Sequence, residues 1–396
     1  MQKCEEKQAC LRLKKGKERP LLQGHHWIYS GAIADNSAKK GHALARVLAH
    51  DGSLLGTALL AASGQSIVAH LLARGEASIE STLSDAIASA ISLRKRLFDS
   101  PITNAFRLIN AEGDKIPGLI VDSYAGVLVL QISHPALEAL KSQIVEELIR
   151  QIAPRAIYEK STSSLRKTAG LVPVRGHLYG EILEQVEVVE NGIRYSVDLL
   201  NGQKTGLFLD QREMRKQVFE MSSEKKVLNC FAYTGGFSIA ALKGGATHVD
   251  SVEISAKCAP AIEQNLRLNE LSRDKHRFVC EDVVDFVVRE PLDYDVVILD
   301  PPAFAKNKAS LDAAFKAYKD LNRTVIAKMP SGSVLLTFSC SYHIDEELFQ
   351  NILFRASLEA GRNVRIIGRH RLALDHPVSI FHPESSYLKG LVLFID

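Results

Sequence analysis

The chain has 396 residues, of which 46% are hydrophobic and 24% charged, and this composition is that of an ordinary globular protein with two or three domains. The six cysteines form no CxxC pair and no His/Cys cluster with zinc-like spacing, which argues against a disulfide scaffold, a redox centre and a structural metal site. The first residues are too polar for a secretory signal, and no apolar run has the length of a membrane span. We therefore expect a cytoplasmic protein with no membrane segment and no resident metal.

The formal net charge is +3, which does not by itself indicate a nucleic-acid partner. Its distribution is uneven, because basic residues crowd the first twenty positions: Lys3, Lys7, Arg12, Lys14, Lys15, Lys17 and Arg19. Such a run can contact phosphate groups. On charge alone, a solvated surface explains it at least as well.

Residues 1–73 are expected to form a β-rich domain. Apolar runs at 43–49 and 54–60 flank a turn at Asp51-Gly52, which is a strong hairpin pattern, and a third run follows at 66–72.

Residues 74–190 show a mixed α and β pattern. Residues 78–98 have apolar positions at helical spacing, with Ser78 or Ser81 as the N-cap. The remaining expected elements are strands at 105–110, 118–132 and 155–160, a helix at 136–152, and a hairpin at 184–190 and 193–199 around Asn191-Gly192. That hairpin could belong to either neighbouring domain.

Residues 191–396 alternate regularly between strands and helices. The expected strands are 226–230, 249–253, 277–280, 294–300, 333–339, 364–369 and 388–395. The expected helices are 209–221, 236–243, 255–270, 282–289, 309–329 and 345–360. This alternation predicts a parallel, doubly wound α/β sheet of the Rossmann-like kind, with helices on both faces. The last strand follows its predecessor without a helix, which predicts an antiparallel strand near the sheet edge.

In such sheets the ligand binds at the carboxyl ends of the strands. The first strand is followed by a segment with paired glycines, which lacks the GxGxxG pattern of dinucleotide enzymes. Glu253 ends the second strand roughly 20 residues later, the spacing expected of a carboxylate that binds ribose hydroxyls. Asp282 follows the third strand, where it can accept a hydrogen bond from an adenine amino group, cap a helix, or do both.

The fourth and fifth strands end in residues suited to catalysis. Asp300 is followed by Pro301 and Pro302, which make the loop rigid, and then by Phe304, which either stacks on a base or packs in the core. Cys340 ends the fifth strand. A thiol facing a cleft there is either a nucleophile or a small buried hydrophobe, and its place opposite Asp300 favours the nucleophile.

At these residues the chain resembles class I S-adenosylmethionine-dependent methyltransferases. More closely, it resembles the ribosomal RNA large-subunit methyltransferase I family, which forms 5-methylcytosine in 23S rRNA. The matching segments are 201–212, 229–236, 300–304, 339–341 and 387–390. Residues 26–33 resemble the start of the N-terminal PUA domain of that family, which binds RNA and is β-barrel-like. Residues 105–122 resemble its central α+β domain. The implied domains are 1–73, 74–190 and 191–396.

The resemblance implies roles for individual residues. The cofactor would be S-adenosylmethionine, contacted by Gln203, Thr205, Asp210, Arg212, Phe231, Ala232, Tyr233, Thr234, Gly235, Glu253, Asp282 and Asp300. The target base would be contacted by Lys204, Pro301, Pro302 and Phe304, with Cys340 and Asp300 catalytic. The partner would be large-subunit ribosomal RNA.

The implied chemistry suits these residues. Carbon 5 of cytosine is a poor nucleophile, and addition of a thiolate at carbon 6 makes the ring enamine-like so that carbon 5 can attack a methyl donor. Asp300 could share a proton with the ring nitrogen. Two-cysteine RNA cytosine methyltransferases carry a second cysteine where this chain has Ala303, so the helper for enzyme release is not identified. Single-cysteine members of the resembled family share this feature.

Two rival interpretations stay open. Asp-Pro-Pro followed by an aromatic residue also suits methylation of an exocyclic amine, which needs no thiol. An RNA-binding protein with an inactive methyltransferase-like domain is the second rival, although none of the expected functional residues is missing. The target nucleotide, the form of the RNA substrate and the oligomeric state, with a homodimer as one option, are left open.

Overall fold

The computed structural model describes residues 9–39, 41–181, 184–305 and 308–396, and Cys4 as well as Lys3 and Lys7 of the basic run lie outside these ranges. The chain forms two compact units. The first comprises Met1–Val186, Val197–Leu209 and Leu374–Ser385, and the second comprises Glu187–Ser196, Asp210–Ala373 and Ser386–Asp396. Each unit therefore draws residues from the region 191–396, while the division into three domains stays a prediction.

The first unit holds two sheets and five helices among its described residues. In chain order its elements are β1 (Cys10–Leu13), α1 (Arg19–Leu22), β2 (Trp27–Tyr29), β3 (Ile33–Asn36), β4 (Leu44–Leu48), β5 (Leu54–Leu60), β6 (Ile67–Arg74), α2 (Ile79–Leu97), β7 (Ala105–Asn110), β8 (Leu119–Tyr124), β9 (Val127–Ile132), α3 (Pro135–Ala139), α4 (Lys141–Ile152), β10 (Ala156–Ser161), α5 (Ser164–Thr168) and β11 (Val174–Gly180). The sheet orders are β2-β6-β5-β4-β1-β3 and β11-β10-β9-β8-β7.

Most of the predicted elements of this unit are present. The β4–β5 hairpin forms with Ala45 opposite Ala58, and the Ser78 side chain caps α2 by accepting the Ser81 N–H. The helix predicted at 136–152 is interrupted at Leu140, whose φ of −98° and ψ of 5° separate α3 from α4. The short strands β1, β2 and β3 were not predicted, because three or four residues carry too little alternation to stand out.

The second unit is an α/β unit. Its elements are β12 (Gln185–Glu190), β13 (Ile193–Asp198), α6 (Arg212–Met221), β14 (Lys226–Cys230), α7 (Gly236–Lys243), β15 (His248–Val252), α8 (Ala259–Leu268), β16 (His276–Val279), α9 (Val283–Arg289), β17 (Val296–Leu299), α10 (Leu311–Lys328), β18 (Val334–Ser339), α11 (Glu346–Ala360), β19 (Val364–Arg369) and β20 (Lys389–Ile395). The hairpin of β12 and β13 contributes Glu187–Ser196 to this unit.

The described part of this unit contains a seven-stranded sheet in the order β16-β15-β14-β17-β18-β20-β19. The first five strands of that order are parallel, and β20 runs antiparallel to both β18 and β19. This confirms the doubly wound sheet and the antiparallel strand near its edge. The strand order reverses between β14 and β17, and a ligand is expected at such a switch point.

A buried ion cluster joins β12 to α6. The Glu190 carboxylate accepts two hydrogen bonds from Arg215, at 2.6 Å and 2.7 Å, and lies 3.4 Å from Arg212 Nε. All three side chains are at most 3% exposed. Burial alone would lower the pKa of Arg215, but the Glu190 carboxylate reverses this and raises it. The cluster therefore keeps two buried guanidinium groups charged.

Replacing Glu190 by Gln should lower the free energy of unfolding by about 3–5 kcal/mol, because it removes the buried carboxylate that both guanidinium groups face. Urea unfolding followed by circular dichroism measures this change. The matched control on the same strand is Glu187→Gln, since Glu187 pairs with Arg194 at an exposed position and should cost about 1 kcal/mol or less. Equal losses for both variants would contradict a structural role for the buried cluster.

Candidate active site

The loop after β14 has an unusual backbone. Phe231 and Tyr233 have φ values of 60° and 48°, a left-handed conformation that bulky residues rarely adopt, and Gly235 follows with a φ of 77°. The Ala232 N–H donates to Val252 O at 3.1 Å, and the Gly235 N–H donates to Ala232 O at 2.8 Å. Strain held in place in this way is typical of a functional loop. This is the segment that the resemblance places beside the cofactor.

Glu253 lies directly after β15 and fixes this loop. One carboxylate oxygen accepts the Tyr233 N–H and the other accepts the Ser255 N–H, both at 3.0 Å. Each oxygen has a second lone pair, so the carboxylate can still accept two hydrogen bonds, as two neighbouring ribose hydroxyls would require. The structure therefore brings Glu253 and the β14 loop together, as the sequence predicted.

Asp282 occupies the N-cap of α9. Its Oδ1 accepts the N–H of Val284 at 2.8 Å and of Asp285 at 3.4 Å. The helix-capping interpretation is confirmed. Because both bonds use one oxygen, Oδ2 keeps its capacity to accept a hydrogen bond from a ligand. Its predicted contact to adenine stays a prediction.

The start of α6 presents buried polar groups. Asp210 accepts a hydrogen bond from the Tyr387 hydroxyl, and Arg212 belongs to the ion cluster with Glu190. Between them lies Gln211, which is 2% exposed and whose two side-chain amide atoms have no partner among the described residues. A buried amide without partners is costly unless a ligand supplies them. Sequence analysis did not single out Gln211, although it lies inside the 201–212 match.

Gln203, Lys204 and Thr205 belong to the first unit. The Thr205 hydroxyl donates to Asp122 at 2.7 Å and lies 2.9 Å from the Tyr124 hydroxyl, so it is engaged in holding its own loop. Lys204 has a φ of 48° and places its ammonium 4.4 Å from the Phe208 ring centroid. The Gln203 carbonyl accepts the Gly206 N–H at 2.9 Å. The ligand contacts predicted for these three residues stay predictions.

The ends of β17 and β18 carry Asp300 and Cys340. These strands are parallel neighbours with Leu299 opposite Thr337, so β18 continues two residues beyond the end of β17 and both end at the same edge of the sheet. The Cys340 thiol lies 3.8 Å from Pro301 O, and the Ala305 N–H donates to Ser341 Oγ at 3.2 Å. The Asp-Pro-Pro loop and the cysteine are therefore neighbours, as strand order predicted, and Cys340 is only partly buried. A partly exposed thiol next to this loop is compatible with a nucleophile, and the catalytic role of Cys340 stays a prediction.

Tyr318 of α10 contacts both the loop after β17 and the segment after β18. Its hydroxyl lies 3.1 Å from Ser341 Oγ, and its ring packs on Phe304 with the centroids 4.6 Å apart. Burial raises the pKa of Tyr318, so its hydroxyl keeps its proton. Sequence analysis missed Tyr318, because a tyrosine in an amphipathic helix carries no distinguishing pattern. Pro301 is buried and Pro302 is exposed.

One group of possible metal ligands occurs among the described residues of the first unit. His25, His382 and Glu384 place their ligand atoms within 4.8 Å of one another, although they are too far apart in the chain for any spacing to indicate it. His25 Nδ1 accepts the Trp27 N–H at 3.2 Å, and His382 Nε2 accepts the His26 N–H at 2.9 Å. A neutral ring then carries its proton on the other nitrogen, which leaves no lone pair for a metal. The predicted absence of a metal stays a prediction.

Comparison with known proteins adds to this geometry. A model of the S-adenosylmethionine-dependent methyltransferase family matches residues 115–355, and a model of a PUA-like domain matches residues 11–74. A relative named ribosomal RNA large subunit methyltransferase I from Shewanella frigidimarina is 39% identical over 389 residues, covering 96% of this chain and 98% of that protein. Its namesake from Klebsiella pneumoniae is 37% identical over 387 residues, covering 96% of each.

A solved structure of a candidate methyltransferase in complex with SAH has a similar fold. It has a TM-score of 0.84 and 26% identity to this chain, and covers 97% of this chain and 99% of its own. Within the described ranges of the present protein, no helix is both long enough and apolar enough to cross a membrane.

Replacing Glu253 by Gln should weaken binding of S-adenosylhomocysteine about 10- to 100-fold, because a neutral amide accepts fewer and weaker hydrogen bonds than a carboxylate. Isothermal titration calorimetry measures the affinity. The control is Glu281→Gln, since Glu281 pairs with Arg289 on the surface next to Asp282. Unchanged affinity in the Glu253 variant, with the fold intact by circular dichroism, would remove Glu253 from the cofactor site.

Proposed function

The chain belongs to the ribosomal RNA large subunit methyltransferase I family of S-adenosylmethionine-dependent methyltransferases, and within that family we propose that it methylates carbon 5 of a cytosine through a covalent bond to Cys340. Its substrate class is large-subunit ribosomal RNA, which places the reaction in the cytoplasm.

One observation carries the proposal of cytosine carbon 5. The Cys340 thiol is partly exposed and lies 3.8 Å from Pro301 O, in the loop that begins with Asp300. Methylation of an exocyclic amine needs only a carboxylate loop, because the amine lone pair attacks directly. A thiol placed against that loop has no function in amine methylation, whereas it is the nucleophile that carbon 5 methylation requires.

The proposed reaction begins with addition of the thiolate to the base and ends with its release. Cys340 loses its proton, and its sulfur forms a bond to carbon 6 while the electrons of the carbon 5–carbon 6 double bond move to carbon 5. Asp300 shares a proton with the ring nitrogen as charge develops there. After carbon 5 has gained the methyl group, a base removes the carbon 5 proton, the double bond returns, and the sulfur leaves carbon 6 as thiolate.

The cofactor fits the polar groups at the strand ends. Glu253 would hold the ribose hydroxyls, Asp282 Oδ2 the adenine amino group, and the β14 loop from Phe231 to Gly235 would lie beside the methionine portion. The buried amide of Gln211 would gain the partners it lacks within the protein. When bound, S-adenosylmethionine supplies an electrophilic methyl group.

RNA binding would begin at the N-terminal sheet. Five basic side chains of its first strand and the following turn are exposed: Arg12, Lys14, Lys15, Lys17 and Arg19. Such cations bind the phosphate backbone without choosing a base, which leaves the choice of base to the catalytic loop with Pro302 and Phe304, while Lys204 of the first unit stays a predicted contact. The target base must be unpaired or flipped out, because a stacked base cannot reach the cleft.

RNA containing 5-fluorocytidine tests the proposal. Fluorine at carbon 5 cannot leave as a proton does, so the enzyme, S-adenosylmethionine and this RNA should form a stable covalent complex. Peptide mass spectrometry should map the bond to Cys340, and Cys340→Ala should abolish both adduct and methylation while retaining S-adenosylhomocysteine binding.

The matched control is Cys280→Ala, since Cys280 is exposed at another strand end of the same sheet and should be dispensable. Normal methylation of unmodified RNA without any adduct on the fluorinated RNA would contradict the thiol mechanism and favour methylation of an exocyclic amine.

A further inference from the structure

We propose that Lys389 is a positioning residue whose ammonium group holds Cys340 in its thiolate form before the target base arrives. This inference rests on the proposed role of Cys340 as nucleophile. It assigns a cation to a site whose described residues also include Asp300, the Cys340 thiol and the Tyr318 hydroxyl.

Strand pairing brings Lys389 to the cysteine. Lys389 is the first residue of β20 and lies opposite Ser339, the residue before Cys340, in the antiparallel ladder with β18. Its Nζ donates to Ser341 O at 2.6 Å, on the other side of Cys340 along the chain. The backbone of Lys389 thus lies beside the residue before Cys340, and its ammonium group contacts the residue after it.

Gly390 permits this close arrangement. A Cβ at position 390 would lie 2.3 Å from Cδ1 of the Phe338 ring, which is closer than two non-bonded carbon atoms can approach. Glycine thus allows β20 to approach β18 closely at the end that carries Lys389. In the Lys-Gly pair, the glycine allows the two strands to lie close together and the lysine side chain extends to Ser341 O.

The ammonium is held by backbone carbonyls and by no carboxylate. Its second hydrogen bond goes to Tyr387 O at 2.6 Å. Among the described residues no carboxylate oxygen lies within ion-pairing distance of Lys389, although the side chain is partly buried. A cation without a counter-charge in such a place is unfavourable for stability. A thiolate at Cys340 would supply the missing negative charge.

Among the described residues, the titratable groups that face Lys389 or Cys340 come from four elements. Lys389 comes from β20, Asp300 from the loop after β17, Asp345 from the N-cap of α11, and the protonated Tyr318 hydroxyl from α10. Asp345 uses Oδ1 to accept the Leu348 N–H at 2.8 Å, which engages it in the helix cap. The two carboxyl groups disfavour a thiolate when ionised, and Lys389 opposes them.

The titration of Lys389 is consistent with this coupling. Burial lowers its pKa to about 8, while the charges of Cys340 and Asp345 act in the opposite direction. Lys389 is thus cationic below pH 8, and its support for the thiolate fades as the pH rises above that value. The lysine neither gains nor loses a proton during turnover, and the thiol proton leaves to solvent.

Carbonyl contacts alone do not mark such a role. Lys160 in the first unit also donates to two carbonyls, Leu199 O at 2.9 Å and Gly202 O at 2.6 Å, and burial lowers its pKa to about 8. What distinguishes Lys389 is its position, since it lies opposite Ser339 and donates to Ser341 O, the residues on either side of Cys340. A test must therefore separate the charge of Lys389 from its hydrogen bonds.

The test measures the rate at which iodoacetamide alkylates Cys340 as a function of pH, in the full-length protein, with peptide mass spectrometry to resolve each cysteine. Lys389→Gln keeps an amide that can donate to carbonyls but removes the charge, and Lys389→Arg keeps the charge. We expect Lys389→Gln to raise the apparent pKa of Cys340 by about one unit, so that alkylation at pH 7 slows about tenfold. Lys389→Arg should stay close to the unmodified protein.

The exposed Cys280 serves as the internal reference in every sample, since its alkylation should not change. Lys328→Gln is the matched control variant, because Lys328 also donates to two carbonyls, Val288 O and Glu290 O. An unchanged Cys340 profile in Lys389→Gln, or an equal change in Lys389→Arg, would overturn the proposal. If either variant fails to fold, Lys389→Met gives a second uncharged comparison.

A methylation assay separates this inference from the proposed function. In Lys389→Gln, kcat should fall about tenfold at pH 7 and recover towards pH 9, with S-adenosylhomocysteine affinity unchanged. Failure of the proposed function appears instead in the unmodified protein, as absence of the 5-fluorocytidine adduct. A normal adduct together with a kcat that does not recover at high pH would assign Lys389 a structural role only.

Discussion

The parallel pairing of β17 with β18 is the constraint on which the catalytic site depends. Leu299 lies opposite Thr337 and β18 ends only two residues later, so the loops that follow the two strands share one edge of the sheet. The Ala305 N–H bond to Ser341 Oγ then locks the loops together. Two segments separated by about forty residues are thereby held at contact distance, and neither loop could fix this position alone.

The placement of β20 between β18 and β19 adds a second constraint. An antiparallel strand begins at the edge where the strand beside it ends, so the first residue of β20 lies opposite the last residue of β18. The strand order therefore places the lysine that begins β20 at the catalytic edge of the sheet, and no additional loop is needed to position it. Gly390 makes the approach sterically possible, since any side chain there would collide with Phe338.

The fold was largely predictable from sequence, because the second unit alternates strongly between buried strands and amphipathic helices. The strand bounds of β14 and β19 match the expectation residue for residue. Strand ends also indicated Glu253, Asp300 and Cys340, since a ligand at a parallel sheet binds there. Long-range contacts were not predictable. The pairing of Glu190 with Arg215 and the return of Leu374–Ser385 to the first unit depend on packing that no local pattern records.

Two kinds of buried charge coexist in the second unit, and their difference is informative. Arg212 and Arg215 are matched by a carboxylate at Glu190, which is what a charge retained for structure requires. Among the described residues, the Lys389 ammonium donates hydrogen bonds to carbonyl oxygens and forms no ion pair, and burial lowers its pKa to about 8. A methionine of similar volume would avoid that cost if packing were the only requirement. A charge kept near its limit of stability beside a thiol is therefore better explained by the chemistry of that thiol than by the fold.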